Sequence, residues 1–301
     1  MTCNPAKPEA ASSPRLAVLT SVETRHRHFA RALCRSGRVR AVLYAPPAYM
    51  PAAVDAADLD PRDRAVVIEH FTERARQEEA FFGHDADWVE SSSTCRVFRV
   101  EPGRMNTPQT AAWLAGCGVD TVLVFGTDLI KPPLLEPARR RMINMHLGLS
   151  PYYRGTATNF YPLLNGEPEL VGATIHLIDA GIDTGPILQH ARPAIVAEDR
   201  PHTIGCKAIA AGIAAMASVV QRLRAGEPLI GVPQWKDPRA RVYLRRDYHP
   251  RQVVELYRKW ETLVGGYFQK GPQHDPLLIG DPSYFSGEPS PAGLATTTGS
   301  G

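Results

Sequence analysis

The sequence predicts an α/β fold, a doubly wound and mostly parallel sheet, and three observations carry that prediction. Short apolar runs rich in β-branched residues recur at 15–20, 39–45, 95–100, 121–125 and 142–146. Segments with helical spacing stand between most of them, and Pro, Gly and Asp punctuate the joints. Strands that alternate with helices cross over in the same direction, so the sheet they build is mainly parallel and covered on both faces.

Taken in order, residues 15–20 form a strand, 23–36 a helix with Phe29, Ala32 and Leu33 on one face, and 39–45 a second strand. Residues 46–63, rich in Pro, Ala and Asp, read as a loop before a helix over 65–82. A strand at 95–100, a helix at 107–116 opened by Thr107-Pro108, and buried strands at 121–125 and 142–146 follow. Beyond them the pattern predicts a helix at 159–164, strands at 173–177 and 187–195, and a long Ala-rich helix at 203–224. Residues 241–246 alternate as a short strand or hairpin, and 250–263 read as a helix carrying Val253, Leu256, Tyr257 and Trp260. The domain reading is a lead-in at 1–14, a main domain at 15–230, a small C-terminal subdomain at 231–285 and a disordered tail at 286–301.

Composition limits the function classes. At 301 residues and 44% hydrophobic, the chain can bury a full core. A net charge of +3 gives no argument for nucleic acid. The five cysteines are scattered without a C-x-x-C spacing and read as reduced thiols, neither a zinc site nor a disulfide frame. No apolar stretch is read as long enough to cross a bilayer, and the polar start lacks the apolar segment of a signal peptide, so a cytoplasmic protein is expected.

Chemistry concentrates in two phrases. Asn144 and His146 lie two residues apart on a strand, so both side chains point to one face. A Gly-rich turn, residues 178–186, carries Asp183 and can return its carboxylate to the same place. An imidazole, an amide and a carboxylate together suit acyl transfer: a proton acceptor, an oxyanion donor and an orienting group. Alone, the Asn-x-His pair is also compatible with a packed, hydrogen-bonded histidine.

Between and around these phrases stand Ser150-Pro151-Tyr152-Tyr153-Arg154-Gly155, then Asn165-Gly166-Glu167, then Gly172-Ala173-Thr174-Ile175-His176. This ordered set resembles the folate-dependent formyltransferase family, which includes methionyl-tRNA formyltransferase, glycinamide ribonucleotide transformylase and the sugar N-formyltransferases. The likeness is strongest over residues 120–195. It implies a Rossmann-like formyltransferase core, 10-formyltetrahydrofolate as formyl donor with tetrahydrofolate as product, and a small-molecule amine as acceptor. It also implies catalytic roles: oxyanion donation by the Asn144 amide and a protonated His146, and proton acceptance by Asp183, whose charge is expected to favour imidazolium. Residues 122–130, with Phe125, Gly126, Thr127, Asp128 and Ile130, resemble the strand and loop beside the folate ring. Asp179, Ala180, Gly181 and Ile182 resemble the turn that offers backbone groups to the pterin. Ser150, Tyr153, Arg154 and His176 are placed at the acceptor side, His176 as an orienting group for Asp183. For these smaller motifs a strand end at Gly126, a surface turn at Arg154-Gly155 and a core histidine at His176 remain open.

Among acceptors, the short C-terminal piece disfavours tRNA, because methionyl-tRNA formyltransferase has a larger barrel-like C-terminal domain. An amino sugar, nucleotide-linked or not, or an amine of a specialised metabolite is preferred, with Tyr152, Tyr153, Asn159, Phe160 and Tyr161 near the reactive strand to stack on a ring. His26-Arg27-His28 could meet an anionic acceptor or face solvent. Neither a membrane nor a metal is expected as partner, and a homodimer is left open. A nicotinamide dehydrogenase is disfavoured because Ser21-Val22-Glu23-Thr24-Arg25 lacks the Gly-x-Gly-x-x-Gly turn. A metal hydrolase built on His146, His176 and Asp183 leaves Asn144 without a role. Hydrolysis of formylfolate is a further alternative, disfavoured because residues 1–14 leave no room for the regulatory domain of such hydrolases. A non-catalytic binding protein has no need of all three polar residues.

Overall fold

The computed structural model describes residues 14–36, 38–46, 58–83, 95–136 and 141–280. The expected lead-in, apart from Pro14, the tail, Cys3 and most of the 46–63 loop lie outside these. Among the described residues nine strands run in chain order: β1 (Leu16–Thr20), β2 (Val39–Tyr44), β3 (Arg96–Arg99), β4 (Thr121–Phe125), β5 (Arg141–His146), β6 (Tyr153–Gly155), β7 (Ala173–Leu177), β8 (Ile187–Ala191) and β9 (Arg241–Tyr243). The helices are α1 (Thr24–Ser36), α2 (Pro61–Phe82), α3 (Pro108–Gly116), α4 (Tyr161–Leu164), α5 (Pro201–Arg224), α6 (Pro250–Arg258) and α7 (Gly266–Lys270). Seven strands form one sheet in the order β3-β2-β1-β4-β5-β7-β8. The first five pair in parallel, and β7 and β8 run antiparallel at the edge.

Strand periodicity explains the layers. In β1, Leu16 and Val18 join Phe29 and Leu33 of α1 and Met216 and Val219 of α5, while Ala17 and Leu19 join Leu114 of α3 on the opposite face. β5 repeats this: Ile143 and Met145 enter the α1/α5 layer, so Asn144 and His146 turn to the other face. Because both faces are covered, the parallel strands read as unbroken apolar runs.

Several bounds differ from expectation for local reasons. α2 starts at Pro61 because Asp60 caps it, accepting from the backbone N–H of Arg62 at 2.9 Å and of Asp63 at 3.1 Å. β8 stops at Ala191, ahead of Pro193, which cannot donate to a ladder. The helix expected over 250–263 ends at Arg258 and continues through a wide turn, Glu261–Gly265, into α7. β6 had no sequence signal of its own: it exists because β9 pairs with it in parallel.

One compositional expectation is corrected. α5 is 24 residues long with mean hydropathy 1.7 over its most apolar window, enough to cross a membrane by length and composition. Its apolarity has another cause: Ile213, Met216, Val219 and Val220 pack on the sheet, and the helix lies against β5, β7, β8, α1 and α2. Residues beyond 231 pack onto the same body. Val253 and Val254 of α6 meet Leu59 and Val67, and Leu256, Trp260 and Val264 meet Leu163 and Ile204.

Candidate active site

The β5–β7 register sets the site. Antiparallel pairing puts His176 opposite Asn144 and Thr174 opposite His146. After β7 the chain turns through residues 178–186, where the Asp179 carboxylate accepts from Gly181 N–H at 3.0 Å and from Thr184 Oγ1 at 2.7 Å. Asp183 then adopts φ 51°, uncommon for a residue with a Cβ, and this swings its carboxylate back over the strands. Gln234, from the segment before β9, holds the turn by donating from Nε2 to the carbonyls of Asp183 at 2.7 Å and Gly185 at 3.0 Å.

The three residues meet. Asp183 Oδ2 lies 3.3 Å from His146 Nδ1 and accepts from Gly155 N–H at 3.1 Å. Asp183 Oδ1 accepts from Asn144 Nδ2 at 3.3 Å and lies 3.5 Å from His176 Nε2. Asn144 Nδ2 also faces His176 Nε2 at 3.1 Å, so both amide hydrogens are engaged in this arrangement. The assignment is secure because a flipped amide would set its oxygen against the carboxylate. Each imidazole turns its other nitrogen to a backbone carbonyl, His146 Nε2 to Tyr153 at 2.9 Å and His176 Nδ1 to Leu177 at 2.8 Å. Among the described residues no group of three or more His, Cys, Asp or Glu is placed to hold a metal ion.

Burial alone would raise the Asp183 carboxyl, but His146, His176 and the Gly155 N–H outweigh it and hold the group far below the usual carboxylate range. Burial also pulls His146 below the ordinary histidine value, and the opposing attraction of Asp183 does not restore it. The expected pull of Asp183 towards imidazolium is present, but desolvation of the ring exceeds it. The ionised Asp183 is the firmer state: the Gly155 and Asn144 donors hold it without any charge on the imidazole. His146 has three oxygen neighbours: the Tyr153 carbonyl at 2.9 Å and Thr158 Oγ1 at 3.4 Å from Nε2, and Asp183 Oδ2 at 3.3 Å from Nδ1.

These groups line a cavity of about 870 Å³. Phe125, Gly126, Thr127, Asp128 and Ile130 form one wall and Asp179, Ala180, Gly181 and Ile182 another, with Asn144, His146, His176 and Asp183 between them. Gly126, at φ 71°, is required here, because a Cβ would collide with the His26 imidazole. Three residues expected at the acceptor are not on the wall. Ser150 and Tyr153 are fully buried, and Tyr153 contributes its carbonyl to His146 while its hydroxyl donates to Glu167. Arg154 also lies outside the lining, with its Nε buried. Of the aromatic group, Tyr152, Tyr153 and Tyr161 are core residues, and Asn159 and Phe160 reach the cavity. His26 does reach it, buried against Phe125, with burial holding its pKa well below the usual value.

The sequence reading missed part of the cavity lining, Arg25, His70, Arg74, Glu78 and His202. They come from α1, α2 and α5, and the one local trace is the four-residue spacing of Arg74 and Glu78 on α2.

Comparison with known proteins supplies the family. The formyl transferase family matches residues 64–220. The chain is 38% identical to methionyl-tRNA formyltransferase of Sorangium cellulosum (strain So ce56) over 97 residues, 32% of this chain and 31% of that protein. It is 35% identical to methionyl-tRNA formyltransferase of Thiobacillus denitrificans (strain ATCC 25259 / T1) over 199 residues, 65% of this chain and 62% of that protein. The match thus spans less than two thirds of either relative. Among solved structures, the fold is similar to phosphoribosylglycinamide formyltransferase from Anaplasma phagocytophilum, with a TM-score of 0.50 at 18% identity, covering 77% of this chain and 97% of that one. With the family's sequence over more than half of its length, laid on this sheet, the chain belongs to the formyl transferase family.

Proposed function

We propose that this protein moves a formyl group from 10-formyltetrahydrofolate to the primary amine of a small molecule. The observation that carries the reading is the Asp183 carboxylate gripped by His146, Asn144 and Gly155 on the wall of a large cavity. At about 870 Å³ the cavity is of the size that takes a ligand with several rings. The residues present fit a pteridine: apolar side chains of Phe125 and Ile130 and backbone groups of the 179–182 turn line the same space. When bound, the formylfolate supplies the activated formyl carbon and the departing nitrogen.

The chain's own groups then divide the proton work. Asp183, ionised, accepts a proton from the attacking amine. Asp183 passes that proton on to the departing nitrogen, with His146 Nδ1 beside its carboxylate, so none is lost in the exchange. Asn144 can donate an N–H to the developing oxyanion in place of its contact with His176 or Asp183. His176, with Nδ1 tied to its backbone, holds Asn144 and Asp183 in register.

For the acceptor, an amino sugar, nucleotide-linked or not, or a specialised-metabolite amine is our reading. It is supported by Phe160, Tyr243 and Tyr248 on the cavity wall. The methionyl-tRNA formyltransferase names of the curated relatives favour a second reading, a tRNA-linked amine. One assay separates them: formylfolate with a panel of amines and methionyl-tRNA, following tetrahydrofolate release and the mass gain of each acceptor. Release without any acceptor would instead point to hydrolysis.

A further inference from the structure

Between α1 and α2, on the lining of the cavity, an alternating chain of charges stops on a cation. Glu23 pairs with Arg25 through Nη2, and Arg25 Nη1 lies 2.7 Å from both carboxylate oxygens of Glu78. Glu78 Oε1 in turn accepts from Arg74 Nε at 2.9 Å. Both ends of the Arg25 guanidinium are thereby engaged. Arg74 engages only Nε: among the described residues its two Nη nitrogens have no hydrogen-bond partner, although the side chain lines the cavity with 30% of its surface accessible.

The bond to Glu78 fixes the plane of the Arg74 guanidinium and leaves its terminal N–H groups as a flat receptor of the geometry that carboxylates and phosphates satisfy. Its two histidine neighbours do not compete for that role. Burial holds His70 down at about 3 and His202 at about 4, so both imidazoles are neutral, and each lies within reach of the Tyr257 hydroxyl, at 3.2 Å and 3.4 Å. A guanidinium whose donors face a cavity gains most from an anionic acceptor that enters with the ligand.

We propose that Arg74 receives an oxyanionic group, carboxylate or phosphate, carried by the amine acceptor, and so selects anionic acceptors over neutral ones. This rests on the formyl-transfer reading of the same cavity. It adds that the acceptor bears a negative charge away from its amine, held at the α2 wall while the amine meets Asp183.

The test compares matched amines with the full chain and formylfolate: glucosamine against glucosamine 6-phosphate, and glycinamide against glycine. In the unaltered protein the anionic member of at least one pair is formylated with kcat/KM about tenfold or more above its neutral counterpart, as expected for a charge-assisted bidentate contact. The pair that responds tells phosphate from carboxylate. In Arg74→Gln that ratio falls to about one, and Arg74→Lys, which keeps the charge and loses the fork, stands between. Neutral members matching anionic ones in both pairs overturns the proposal, and so does a ratio that survives in both variants. Calorimetry with inorganic phosphate and with acetate judges the anion site even if no amine is formylated, the result that sinks the formyl-transfer reading. Binding by the unaltered protein that weakens at least about tenfold in Arg74→Gln supports the site. No binding of either anion removes it.

Discussion

Asp183→Asn is the most searching perturbation of the proposed chemistry. The substitution keeps the shape of the side chain and removes its charge and its capacity to take a proton. In the structure the carboxylate meets Gly155 N–H at 3.1 Å, Asn144 Nδ2 at 3.3 Å, His146 Nδ1 at 3.3 Å and His176 Nε2 at 3.5 Å. An amide can keep an acceptor for one side of this set, but its NH₂ then faces a donor on the other. Loss of one charge-assisted contact costs about 1.5–3 kcal/mol, and loss of a positioned proton acceptor slows turnover by about 10²- to 10⁴-fold. Formylfolate affinity should hold within several-fold, because the walls at 125–130 and 179–182 are untouched. The assay is tetrahydrofolate release at saturating formylfolate, with binding by calorimetry and folding by circular dichroism. A folded Asp183→Asn protein that turns over within threefold of the parent would refute the proton-acceptor role.

Three further outcomes follow from the geometry. Gly126→Ala must hold a side chain at φ 71° against the His26 imidazole, and should lower unfolding stability by about 1–3 kcal/mol in urea titrations; an unmoved midpoint contradicts the steric argument. Gln234→Ala frees the Asp183 and Gly185 carbonyls and should lower kcat about tenfold with little change in formylfolate KM; a change in KM alone would mean that the turn serves binding instead. Stability should fall on acidification below about pH 6.5, by about 1.4 kcal/mol per pH unit for each buried neutral histidine. The sign follows from burial: His70, at about 3, and His202, at about 4, bind fewer protons folded than unfolded, so their contribution is complete above 6.5 and is lost as the pH drops. Equal urea midpoints at about pH 7.5 and about pH 5 would contradict it.

Much of the fold was legible because its cause is local. The residues of β1 alternate between two apolar layers, so the strand reads as an unbroken apolar run whatever lies above and below it. The common face of Asn144 and His146 was equally legible, since a period of two follows from strand geometry alone. β6 was not, because its residues extend only where β9, far along the chain, pairs with them.

For the site, the sequence by itself determined that an amide and an imidazole share a face and that a Gly-rich turn carries an acid. Only the tertiary structure decided what they become. The β5–β7 register sets His176 against Asn144, desolvation outweighs the pull of Asp183 on His146, and Gln234 fastens the turn that presents Asp183. It also turned Ser150 and Tyr153 inward and gathered Arg25, Arg74 and Glu78 from two helices into one charged chain. The physical reason is that periodicity and turn chemistry act between neighbours in sequence, whereas burial, pKa and charge pairing depend on whatever the fold brings within a few ångströms.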